Sequence, residues 1–162
     1  MVMVIAMSIL AGWMALLVLA RRQFFHIALI GFPGVVLHEL MHLLVGLVLL
    51  AKPVSMNLWP RRAGNHWHFG SVAFTGLNLF NAAPVAYAPL LLLPAAWIAL
   101  HHWMLPQVQR GAYTIAVLWG YVIACGVFYS LPSVTDLKAA GWSTVFWLAM
   151  AAVSVAIWFW PH

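Results

Sequence analysis

Apolar runs close to twenty residues long follow one another from Val2 to Trp160, and fixed charge falls mostly between them. The basic breaks are Arg21-Arg22, Lys52 with Arg61-Arg62, Arg110 and Lys138. A helix of about 20 apolar residues crosses a hydrocarbon core about 30 Å thick. Only 6% of the chain is charged, against about 25% in soluble domains, which excludes an ordinary water-soluble fold. The pattern predicts an all-α polytopic membrane protein with about five transmembrane helices. These are roughly Val2–Ala20, Phe24–Leu50, Ala83–Trp103, Tyr113–Leu131 and Ala139–Trp160. Val2–Ala20 has no basic residue before it and no small-residue cleavage site, so it reads as a retained span rather than a signal peptide. Prolines 84, 89 and 94 would break a soluble helix, but membrane neighbours can satisfy the backbone groups they free. The expected location is an integral, multi-pass one in a bacterial-type cytoplasmic membrane. The excess of seven Lys and Arg over two acids reports interfacial anchoring to the lipid bilayer, and no nucleic-acid partner is inferred. Trp59, Trp67, Trp103, Trp142, Trp158 and Trp160 cluster at span ends as an aromatic belt would. Cys125 is single, so neither an internal disulfide nor a thiolate metal site is available.

Lys52–Phe74 is the longest polar stretch and the one with strand character. Val54, Met56 and Leu58 alternate with polar neighbours, and Trp67 and Phe69 do so beyond a turn through Pro60–Asn65. Two period-two patterns around a Pro/Gly/Asn turn predict a short membrane-associated β-hairpin after the second span.

The two carboxylates carry most of the chemical information. One, Glu39, sits between two histidines in His38-Glu39-Leu40-Met41-His42, inside an apolar span where an ionisable group is costly and marks function. On a helix, His38 and His42 lie about 40° apart, one turn above the other, so both imidazoles reach one ion. A His-Glu-x-x-His box on a helix is the zinc-hydrolase arrangement, with the Glu acting on a metal-bound water. Gly34 and Gly46 extend the same stripe and predict close approach of a neighbouring helix.

A catalytic zinc usually has three protein ligands. Asp136 is the other carboxylate and the first candidate for the third. If the spans alternate in direction, His38–His42 and Asp136 both arrive near the same face of the membrane, the box being about 20–26 Å into the core. Ser133-Val134-Thr135-Asp136 also fits a capping box at the start of the fifth span, and an aspartate there can serve as ligand and cap together. The remaining histidines carry weaker signals. His66 and His68 share a face of the hairpin and are candidate ligands, whereas His26, His101 and His102 read as interfacial and His162 as terminal.

The box inside a span, a hairpin after it, and Pro132 and Asp136 two spans later together resemble the site-2 protease family of intramembrane zinc metalloproteases. The resemblance covers roughly residues 24–140 of a single unit spanning 1–162. It implies Zn2+ held by His38, His42 and Asp136, Glu39 as general base, and a membrane-embedded protein or transmembrane peptide as substrate. Ser130, Pro132 and Asp136-Leu137 stand where the family usually has Asn, Pro and Asp-Gly, and Ala88-Pro89-Leu90 stands near the place of its Gly-Pro element. No PDZ or CBS regulatory domain is expected, and the chain resembles a minimal, divergent member. Three other readings fit parts of the sequence. They are a protease-like membrane binder without turnover, a histidine-box di-iron enzyme and a bis-histidine haem protein. Four basic residues on the hairpin side against three on the other favour the hairpin side as cytoplasmic.

Overall fold

The computed structural model describes residues 1–59, 61–63, 66–68 and 70–160; at 24, 25, 27, 61–63 and 66–68 it describes the backbone. The chain is mostly helical. Three of the described helical segments are long and apolar enough to cross a membrane: Val2–Ala20, Ala88–Gln109 and Val134–Trp158.

Helix α1 (Val2–Ala20) packs along α7 (Tyr113–Phe128) and against α6 (Leu105–Gln109). The contact is made by small side chains: Ala6 and Ala116 are fully buried, and Ile9 lies over Gly120. Small residues let helix backbones approach closely where lipid tails offer no hydrophobic drive to associate.

The expected second span is two helices, α2 (Phe24–Ile30) and α3 (Phe32–Val48). The break falls at Gly31, just before Pro33 in the first turn of α3, because proline has no N–H to continue the ladder. The carbonyl of Ile30 at the break accepts a 2.6 Å bond from the Tyr121 hydroxyl on α7.

The hairpin is longer than its alternation suggested. Strand β1 (Pro53–Asn57) pairs antiparallel with β4 (Ser71–Phe74), and inside this ladder β2 (Arg61–Ala63) pairs with β3 (His66–His68). In register, Ser55 faces Ala73, Met56 faces Val72, and Arg62 faces Trp67. Trp67 and Phe69 were the expected partners of Val54–Leu58; the outer partner is instead Ser71–Phe74. Arg61–Ala63, expected in the turn, is strand, because its arginines disguise an extended segment as a polar loop. Pro60, Gly64, Asn65 and Phe69 lie outside the described residues.

The expected third span, Ala83–Trp103, also divides. A short α4 (Ala82–Ala86) ends at Tyr87, and a second rod runs on to Gln109. That rod is a 3₁₀ turn (Ala88–Leu91), α5 (Leu92–Ala99), a π turn (Leu100–Met104) and α6. Pro106 offers no N–H to the His102 carbonyl, and the wider π turn lies just before it.

Helix α8 (Val134–Trp158) starts five residues before the expected Ala139, at a capping box in which Ser133 and Asp136 bond each other's backbone. It bends at Gly141. Along most of its length it shows apolar side chains outward, with Trp142 81% and Trp158 83% exposed. Its attachment to the rest of the chain runs chiefly through α4. Ala140 packs on Ala83 and Ala86, the Ser143 hydroxyl accepts from the Ala83 N–H at 2.9 Å, and Trp147 Nε1 donates to the Phe80 carbonyl.

Candidate metal centre

His38 and His42 project from consecutive turns of α3, their ring centroids 4.8 Å apart and their planes at 76°. Each ring is fixed from behind by a backbone carbonyl. His38 Nδ1 donates to Tyr129 at 2.7 Å, and His42 Nδ1 donates to Val85 at 2.8 Å. Proline is the reason both carbonyls are free. A helical carbonyl normally accepts from the N–H four residues on, and for Val85 that residue is Pro89. For Tyr129, just past α7, the next candidate donors are Pro132 and Ser133; the first has no N–H and the second gives its N–H to Asp136 Oδ2.

This arrangement fixes the tautomers. A carbonyl only accepts, so both protons sit on Nδ1 and both Nε2 atoms present lone pairs forward. Those two atoms stand 3.1 Å apart. The Asp136 carboxylate faces them, Oδ2 at 3.4 Å from His38 Nε2 and Oδ1 at 3.3 Å from His42 Nε2. Three electron-rich donors thus converge within 4.8 Å of one another, an arrangement that a shared positive charge would stabilise. Donors held about 2.0–2.1 Å from a common tetrahedral centre would be about 3.3 Å apart, so the donor set fits a small divalent cation. A proton on one imidazole Nε2, shared with the other ring across 3.1 Å, answers the same need.

Asp136 therefore serves as helix cap and as partner of both imidazoles. Its Oδ2 accepts from Ser133 N at 2.7 Å while its own N–H donates to Ser133 Oγ at 3.2 Å. The cap orients the carboxylate, and α4 sets the height of the helix that carries it.

Glu39 is buried on α3, beside the histidines and outside the converging triad. The backbone of Gly70, at φ +74°, crosses it closely: a Cβ there would lie 2.5 Å from Glu39 Oε1. Only glycine permits both that conformation and that approach. Gly34 and Gly46 were expected to meet a helix: Gly34 lies under Tyr129, which ends α7, whereas Gly46 lies under Phe74 of β4. The hairpin is thus seated on α3 next to the site.

Around these residues opens a cavity of about 750 Å³. The box and Asp136 line one wall, and Gly70, Ser71, Val72 and Phe74 line the facing one. A buried bracket holds that wall. Asn81 Nδ2 donates to Leu49 at the end of α3 and to Gly76 beyond β4, and its Oδ1 accepts from Asn78 N.

The other histidines lie elsewhere. His101 sits on the π turn and bonds the Trp97 carbonyl at 2.9 Å, its ring tilted against that indole. His26 is exposed on α2. The side chains of His66 and His68, and all of His162, lie outside the described residues. Among the described residues the cluster holds two histidines and one aspartate. Sequence reading missed Gly70, Asn81 and the carbonyls of Val85 and Tyr129; Pro89 and Pro132, placed four and three residues after those carbonyls, were the available signal. Comparison with protein-family models, with curated proteins and with solved structures finds no match for this chain.

Proposed function

We propose that this chain is an intramembrane zinc-dependent endopeptidase of the site-2 protease type, acting on extended segments of membrane-embedded proteins. The convergence of His38, His42 and Asp136 beside buried Glu39 carries this reading. A bound zinc ion would supply Lewis acidity, making water nucleophilic near neutral pH and stabilising negative charge on the attacked carbonyl. His38 and His42 would hold it through Nε2, and Asp136 would complete the set. Glu39 takes the proton from the attacking water on its carboxylate and returns it to the departing amine nitrogen.

The substrate must be extended, because helical hydrogen bonds shield the carbonyls of an intact span. Strand β4 suits that demand: one edge pairs with β1 and its residues 71, 72 and 74 line the cavity. An extended peptide added beside it would lie across the catalytic groups. We propose five crossings, formed by α1, α2 with α3, Ala88–Gln109, α7 and α8, in a bacterial-type cytoplasmic membrane with the hairpin on the cytoplasmic side. Helices α3 and α7, of 17 and 16 residues, are about 25 Å long and would cross a locally thinned core or be extended by their neighbours.

The test is cleavage in proteoliposomes of a panel of quenched fluorogenic transmembrane peptides. Wild type should cleave at least one, and Glu39→Gln should lower that rate by about 10²–10⁴-fold while retaining metal. Metal binding without cleavage by wild type would assign the chain to the class of protease-like binders.

A further inference from the structure

We infer that Gly141 is a positioning residue for Asp136: the bend it makes in α8 delivers the carboxylate to the two imidazoles. This rests on the metal-centre reading above. At Gly141 the backbone has φ +28° and ψ −118°, a combination closed to L side chains. Space is not what requires glycine there, since a Cβ would meet nothing within 4 Å. The conformation itself is the requirement.

The bend is clamped on both sides by one short helix. Before it, Ala140 is 1% exposed and packs on Ala83 and Ala86. After it, Ser143 Oγ accepts from Ala83 N at 2.9 Å, and Thr144 Oγ1 meets Tyr87 Oη at 3.2 Å. Ala83 N belongs to the first turn of α4, where helical N–H groups lack partners within their own helix. The same α4 offers the Val85 carbonyl to His42. One five-residue element therefore fixes a histidine from one side and the aspartate's helix from the other. With both ends clamped, regular helical geometry at 141 must either release Ser143 or swing Asp136 away. Asp136 lies five residues from the bend, about 7.5 Å along the axis, so a 10° change moves its carboxylate by roughly 1 Å. Ligand distances tolerate only about 0.2 Å.

The experiment is Co2+ titration of the purified full-length chain in detergent, read by visible absorption, on wild type, Asp136→Ala, Gly141→Ala and Ser143→Ala. Gly12→Ala, a helical position with nothing within 4 Å of an added Cβ, is the control. Wild type and the control should give the intense bands of four-coordinate Co2+. Gly141→Ala should bind about 10–100-fold more weakly, with weak bands like those of Asp136→Ala. Ser143→Ala should shift the same way by a few-fold, and it decides the matter if Gly141→Ala does not fold. Wild-type affinity and spectrum in the folded Gly141→Ala chain, or in Ser143→Ala where the former fails to fold, would overturn the inference and leave the metal centre standing. A wild-type chain that gives no Co2+ bands would overturn both.

Discussion

The half of the molecule built from α1, α5, α6 and α7 is held together differently from the half built from α3, α4, the hairpin and α8. In the first, alanines do most of the joining: Ala6, Ala96, Ala99 and Ala116 are buried around Met104 and Ile123. Its polar link between helices is Trp13 Nε1 donating to the Val117 carbonyl at 2.9 Å. In the second, the buried groups include Glu39, His42, Asn81 and Ser143, and the last three are bonded to backbone groups of neighbouring elements. The difference follows from the solvent. Two apolar faces in lipid gain little by meeting, so the first half relies on shape and close approach. A buried polar group in lipid must find its partner within the protein, and that demand fixes its position closely. A site that has to hold three donors to a few tenths of an ångström belongs in the second kind of half.

Two substitutions probe this division, the larger effect first. Asn81→Ala removes the donor to both Leu49 and Gly76 and should cost about 1–3 kcal/mol, through part-buried carbonyls left unpaired. Because Asn81 brackets the cavity wall, hydrogen exchange should rise first at residues 71–76 and at the end of α3, with α1 and α7 still protected. Uniform loss across both halves would show that they are not separate in their bonding. Trp13→Phe removes the bundle's indole bond while keeping most of its packing. Such interhelical bonds are worth about 0.6 kcal/mol on average, so the unfolding free energy in mixed micelles should fall by about that much and cleavage should persist. A loss above 2 kcal/mol would mean that the bundle, too, depends on polar links.

How far the sequence disclosed this arrangement depended on the kind of signal. Helix class and the His38-Glu39-x-x-His42 spacing were plain, since apolar length and the four-residue repeat are properties of consecutive residues. Asp136 was legible as a cap from Ser133 and as a candidate ligand because the chain has one other carboxylate. The breaks within spans were less so. Prolines 33 and 89 marked them, but a proline in a membrane helix is compatible with either a kink or a continuous rod, and neighbours decide. The outer strand partner escaped notice because Ser71–Phe74 is too short for its alternation to stand out. The Val85 and Tyr129 carbonyls were hidden for a different reason: which histidine takes a freed carbonyl depends on contacts 43 and 91 residues apart in sequence.

If His38, His42 and Asp136 together hold one divalent ion, purified chain exposed to zinc and then dialysed against a weak chelator should carry one zinc per wild-type chain by mass spectrometry. His38→Ala and His42→Ala should retain none, and Asp136→Ala far less than wild type. Folded wild type without stoichiometric metal, or equal retention in all four proteins, would show that these three side chains do not form a metal centre.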